Sequence, residues 1–178
     1  CRNRSSTPSD DGLPGPTSTL HVACQFDHVE AARLLLDNGA DVHRADKNGA
    51  TPLFAACENG SVNAARLLLD KGADVHRANK NGATPLYVAC EKGHVDAARL
   101  LLEKGAEVDR ATEDGETPLY IACQKGHVDA ARLLLDNGAE VDRANKNGAT
   151  PLFIACQNGR VDAARLLLEK GAEVDRAK

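Results

Sequence analysis

The chain has 178 residues, 42% hydrophobic and 27% charged, the balance of one ordinary globular domain and not of a disordered chain. Its 22 Lys and Arg against 26 Asp and Glu leave a formal charge of −4, and only two Tyr and three Phe supply rings, so phosphate neutralisation and base stacking on nucleic acid are both disfavoured. No apolar run of about 18 residues is long enough for a membrane span, and no apolar segment reading as an export signal follows Cys1.

Residues 1–17, CRNRSSTPSDDGLPGPT, are rich in Ser, Pro, Gly and Asp and predict a disordered leader. Beginning at Cys1 and containing no Met, the chain is expected to be a fragment, a processed chain or an incomplete gene model. From Ser18 the sequence repeats itself. STLHVACQFDHVEAARLLLDNGADVHRA over 18–45 is a partial copy, followed by 33-residue copies at 46–78, 79–111, 112–144 and 145–177.

Each copy parses into two short helices and a turn. In the copy 79–111, Thr84 suits an N-cap and Pro85 the first helical position. Leu86, Ala89 and Cys90 then share one stripe, and Gly93 can take the left-handed C-terminal conformation. A second helix is predicted from Val95, with Asp96 in its first turn, where negative charge suits the dipole, and with Val95, Ala98, Leu101 and Leu102 as its apolar stripe. Gly105 ends it. The run AEVDRATEDGE then leads to Thr117, its Asp-Gly, like the Asn-Gly of other copies, being a turn signal. Neither helix reaches the roughly 12–15 residues that an isolated helix needs in water. The copies must therefore stack on one another, which predicts an all-α solenoid.

Cys90 and His94 stand four apart, as do Cys24 with His28 and Cys123 with His127, a spacing that could place a thiolate and an imidazole on one helical turn. Metal binding is disfavoured all the same. Gly93 and Gly126 interrupt the turn, Ser61 and Arg160 replace His in two copies, and two ligands fall short of the usual four. The five cysteines spaced by 33, Cys24, Cys57, Cys90, Cys123 and Cys156, read as small buried apolar residues. Equivalent residues in stacked helices should lie about 8–10 Å apart, beyond the roughly 7 Å Cα separation of a disulfide. No cysteine is singled out beside a base, and no phosphate-binding, serine-hydrolase or zinc-protease motif occurs, so no catalytic residue, metal or cofactor is predicted.

A second ladder is Arg33, Arg66, Arg99, Arg132 and Arg165. Glu30, Asp96, Asp129 and Asp162 precede four of these by three residues, which predicts helical ion pairs worth a few tenths of a kcal/mol each. A phosphate-binding stripe is the sharper alternative. His43 and His76 stand where later copies have Asp109, Asp142 and Asp175, and read as surface positions.

The 33-residue length, the T-P-L-x-x-A core, the G-H-V between helices and the LLL-x-x-G-A end together resemble the ankyrin repeat, over residues 18–177. The resemblance implies stacked helix-turn-helix units with projecting β-hairpin-like loops. It also implies a structural hydrogen-bonding role for His28, His94 and His127 near the start of the second helix. One departure recurs: the family's His after Pro-Leu survives only at His21, while Phe54, Tyr87, Tyr120 and Phe153 fill the other slots and are expected to rely on packing.

The resemblance further implies a non-catalytic scaffold that grips a partner protein with its hairpin tips and the outward side of each first helix. Those positions are Lys47, Asn48, Glu58, Asn59 and Lys71 in unit 46–78, and Lys80, Asn81, Glu91, Lys92 and Lys104 in unit 79–111. Unit 112–144 offers Glu113, Asp114, Glu116, Gln124, Lys125 and Asn137, and unit 145–177 offers Lys146, Asn147, Gln157 and Asn158. Glu113, Asp114 and Glu116 interrupt a row of Lys47, Lys80 and Lys146, a charge pattern that could select a complementary partner segment. Phe26 is the one aromatic among these outward positions, as an anchor or a cover for the first unit. The alternatives are a regulatory or targeting segment of a larger enzyme or channel, and a designed consensus scaffold. The apolar Leu166, Leu167 and Leu168 of the last copy lead one to expect further repeats or another domain beyond residue 178. Unpaired cysteines point to an intracellular, reducing location, and a monomer is expected.

Overall fold

The computed structural model describes residues 18–176; the leader expected over 1–17, with Cys1, lies outside the described residues. Thr51, Thr84, Thr117 and Thr150 each start a helix by the same device. The threonine hydroxyl accepts the backbone N–H three residues on, at 3.1–3.2 Å, and proline occupies the first turn. Ser18 does this for the first unit, accepting from the His21 N–H at 3.4 Å. The first helices are α1 (Thr19–Gln25), α3 (Pro52–Glu58), α5 (Pro85–Lys92), α7 (Pro118–Lys125) and α9 (Pro151–Gln157). Alternating with them are the second helices α2 (Val29–Asp37), α4 (Val62–Asp70), α6 (Val95–Glu103), α8 (Val128–Asp136) and α10 (Val161–Glu169).

The second helices end in a Schellman turn. In α6 the Ala106 N–H donates to the Leu101 carbonyl at 2.9 Å and the Gly105 N–H to Leu102 at 3.0 Å, with Gly105 at φ +87°. First helices stack on first helices and second on second, forming two layers, and each first helix packs on its own second. Leu53, Leu86 and Leu119 of one layer and Leu68, Leu101, Leu134 and Leu167 of the other are essentially inaccessible. Small residues such as Ala56, Cys57, Ala97 and Ala98 let the layers approach closely. Among the described residues no helix is long and apolar enough to cross a membrane.

The expected hairpin-like loops are tight turns, and no strand forms among the described residues. At the tip 79–83 the Asn79 N–H donates to the Ala83 carbonyl at 2.9 Å, while Asn79 Oδ1 accepts from the Asn81 and Ala83 N–H groups, both at 3.0 Å. Successive tips are joined by single backbone bonds: Lys80 N–H to Asn48 O at 2.9 Å, Glu113 N–H to Asn81 O at 3.0 Å and Lys146 N–H to Asp114 O at 3.0 Å.

Several expectations need correction. Cys24, Cys57, Cys90 and Cys123 are buried and free, but Cys156 is exposed, because no further first helix among the described residues stacks on α9. Of the four predicted i,i+3 ion pairs only Glu30–Arg33 forms, at 3.8 Å. Asp96, Asp129 and Asp162 are one methylene shorter than Glu, and none comes within 4 Å of its arginine. The column that holds His43, His76, Asp109 and Asp142 is half-buried or buried, and of its members only Asp175, in the last unit, is exposed. Its aspartates accept backbone N–H groups of the next unit, Asp109 from Glu140 at 3.0 Å and Asp142 from Glu173 at 3.2 Å.

Candidate concave interaction groove

The tips and the adjoining edges of α3 and α5 enclose an open groove of about 630 Å³. Three tips form one wall: Asp46, Asn48 and Ala50; Asn79, Asn81 and Ala83; Thr112, Asp114 and Glu116. Phe54 and Glu58 of α3, with Tyr87, Val88 and Glu91 of α5, form the other. No residue of a second helix lines it, so the second layer lies behind the first. Five carboxylates line the groove, Asp46, Glu58, Glu91, Asp114 and Glu116, and no Lys, Arg or His does.

The five carboxylates differ in how firmly they are held. Asp46 Oδ1 accepts the Asn48 N–H at 2.8 Å and the Ala50 N–H at 2.9 Å, which fixes the tip. Glu58 and Glu91 meet Lys92 at 4.0 and 3.9 Å, and Glu91 also meets Lys125 at 3.9 Å, all at the groove's lip. Glu116 Oε2 accepts the Tyr87 hydroxyl at 2.9 Å across the groove. Burial, then this bond, drives the Tyr87 hydroxyl far above its ordinary pKa. Asp114 is exposed and enters no ion pair among the described residues.

The Tyr87–Glu116 bond corrects the expectation that every aromatic in the family's His slot depends on packing alone. His21 links its unit to the next by a 2.9 Å bond between Nε2 and the Ala50 carbonyl, 29 residues on. Tyr87 makes its own link over the same separation because Glu116 stands where the other copies have Ala. Phe54 and Phe153 have no polar atom for such a link, and Phe153 is 44% exposed.

The G-H-V histidines act between units. His94 Nε2 lies 3.2 Å from the Glu58 carbonyl, and His127 Nε2 lies 3.0 Å from that of Glu91. Ser61 and Arg160 fill the same slot and donate to Gln25 O at 2.9 Å and Gln124 O at 3.2 Å. Four such side chains thus satisfy the orphan carbonyls closing the preceding first helix. Neither His94 nor His127 caps its own helix with its side chain. Among the described residues no three His, Cys, Asp or Glu side chains converge to hold a metal ion. Burial pushes the Cys123 thiol up to about 12 and Cys57 and Cys90 higher still, while Cys24, with Asp27 nearby adding to burial, also reaches about 12.

The candidate positions therefore fall into four groups. Asn48, Glu58, Asn81, Glu91, Asp114 and Glu116 line the groove together. Lys47, Lys80, Glu113, Lys146 and Asn147 lie on the tips without lining it; the Lys80 and Lys146 stems lie over the neighbouring glycines, each Cγ 3.3 Å from where a Cβ on Gly49 or Gly115 would stand. Asn59, Lys92, Gln124, Lys125, Gln157 and Asn158 sit at the ends of first helices. Lys71, Lys104 and Asn137 are remote from all of these, at the C-caps of α4, α6 and α8 in the second layer. There Lys71 reaches Asp37 at 2.8 Å, Lys104 reaches Asp70 at 2.9 Å and Lys170 reaches Asp136 at 2.7 Å, a ladder broken only at Asn137. The groove residues that sequence reasoning passed over are Asp46, Phe54, Asn79, Tyr87, Val88 and Thr112. The aromatic column was a usable signal for two of them.

A comparison with curated proteins finds no match. The family described as "Ankyrin repeats (3 copies)" matches residues 20–112 and again 104–178. With that match spanning nearly all of a five-unit stack whose caps, turns and inter-unit bonds recur in register, the chain belongs to the ankyrin-repeat family.

Proposed function

We propose that this chain is a non-catalytic scaffold that holds a partner protein in the concave groove between its tips and first helices. Ankyrin repeats are in general protein–protein interaction modules, and the groove is the observation that carries the finer reading. It runs across three consecutive units and is backed by a fixed helical layer. Its walls combine polar tips with the rings of Phe54 and Tyr87. Such a surface suits an extended segment that adds contacts unit by unit. The reading includes an intracellular site of action, where four buried thiols stay reduced.

Affinity capture from a cell lysate tests it with three baits: the full chain, Asn48→Trp with Asn81→Trp, and Lys71→Glu with Lys104→Glu. The tryptophans obstruct the groove from exposed tip positions, and the second pair breaks the ladder on the far layer. The expected result is a partner lost from the tryptophan bait and kept by the other. A partner kept by the tryptophan bait and lost from the ladder bait would place binding on the second layer and contradict the proposal.

A further inference from the structure

Within that scaffold reading, on which this step rests, we infer that the groove selects an extended basic segment, with Lys or Arg at every third residue, over neutral or acidic segments. The first support is where the acids fall. Asp46, Glu58 and Glu91, Asp114, and Glu116 belong to four different positions of the 33-residue template. Their counterparts in the last unit, Asn145, Gln157, Asn147 and Ala149, are all uncharged. The template therefore does not dictate the charge, yet every one of these acids opens onto the same groove.

The second support is what the nearby cations do. Lys80 and Lys146 lie along the row of tips, and neither lines the groove. Lys92 and Lys125 approach Glu58 and Glu91 only at 3.9–4.0 Å, on partly exposed side chains. Such long exposed pairs are weak and readily exchanged for a ligand's cation. Asp114 has no cation to give up. Asp46 and Glu116 each commit one carboxylate oxygen internally, leaving the other free of hydrogen bonds among the described residues.

The third support is spacing. Glu58 and Glu91 hold the same position in adjacent units, whose stacked helices lie roughly 8–10 Å apart. A chain in the polyproline-II conformation advances about 3.1 Å per residue with three residues per turn, so residues three apart share one face and together span about one unit. Basic side chains three apart would thus meet Glu58 and Glu91 in turn, with apolar side chains between them against the Phe54 and Tyr87 rings.

The test selects random peptides of about 12 residues, somewhat longer than the roughly nine that cross the three units of the groove at three per unit, displayed on phage against the immobilised full chain. Selected peptides are then synthesised and measured by fluorescence anisotropy at about 50 and about 300 mM salt. They are titrated against the wild type, against Glu58→Gln with Glu91→Gln and Asp114→Asn, and against Asn48→Trp with Asn81→Trp, each variant first checked for an unchanged circular-dichroism melt. The expected peptides carry Lys or Arg at i and i+3, bind at least about tenfold more weakly to the neutralised variant, and weaken with salt. Neutral or acidic peptides, no selection above background, or affinity within about twofold on the neutralised variant would overturn the inference. Where such peptides are still lost on the tryptophan variant, the groove reading survives without its charge preference. Peptides unaffected by the tryptophans would overturn both.

Discussion

His127 stands over Gly93 so closely that a Cβ on the glycine would lie 2.6 Å from the imidazole Nδ1. Gly93 also adopts φ +76°, where a side chain is strained in any case. Gly60 has the same relationship to His94, with 2.7 Å to Nδ1. The first unit shows the alternative. Its equivalent residue is Asp27, at φ +54°, and the residue above it is the smaller Ser61. The room is used: the Asp27 carboxylate accepts the Ala64 N–H at 2.8 Å and Asn63 Nδ2 at 2.9 Å, capping α4 from the preceding unit.

Gly93→Ala is expected to destabilise the array by about 1–3 kcal/mol in urea unfolding, through the left-handed backbone and the clash with His127 together. In a His127→Ser background the same substitution should cost measurably less, because only the backbone contribution remains. Equal costs in both backgrounds would show that the imidazole is not what demands the glycine.

Asp27→Ala should remove the cap on α4 at a cost of about 0.5–2 kcal/mol, with hydrogen exchange accelerating first in the opening turn of that helix. Acceleration spread evenly over all units would contradict a local cap.

The Asp–Lys ladder sets a pH dependence. The Lys71, Lys104 and Lys170 hydrogen bonds, with help from Arg33, Arg66 and Arg132, hold the carboxyls of Asp37, Asp70 and Asp136 below the ordinary value of 3.8. A carboxyl depressed in the folded state contributes stability that is present above its unfolded pKa and lost as pH falls through the folded one. Stability should therefore drop below about pH 4, and Lys104→Met should make that drop shallower. Asn137→Lys would restore the missing rung opposite Glu103, giving a gain that added salt removes. A gain independent of salt would indicate some cause other than the ion pair.

The buried thiols make a chemical prediction. In a Cys1→Ser chain, Cys156 alone should react quickly with an aromatic disulfide near pH 8, where the thiols of Cys24 and Cys123, raised to about 12, stay protonated and enclosed. The four buried cysteines should react only as fast as the array opens. A second fast thiol would mean that one of the inner stacks opens independently.

Much of the frame was legible because it rests on local rules. Thr84 with Pro85, Gly93 and Gly105 each announce a helix end through their own backbone preferences, and the 33-residue period turns one parsed unit into the whole array. The bonds between units were not legible from spacing within a helix. Asp37 to Lys71 spans 34 residues, Glu58 to His94 spans 36 and Tyr87 to Glu116 spans 29, separations that acquire meaning only when the stacking offset is known. The same blindness put Lys71 and Lys104 beside the tips and left Tyr87 out of the site. It also hid that Lys80 lies along its neighbouring tip and away from the groove, since sequence shows that a charge exists but not the direction its stem takes.

A hydrogen-exchange footprint of the full chain with the tightest peptide from the selection shows directly whether the groove is the binding face. Exchange is expected to slow in the tips 46–50, 79–83 and 112–116 and in α3 and α5, with α4, α6 and α8 unchanged. Slowing confined to the second helices, with the tips unaffected, would contradict it.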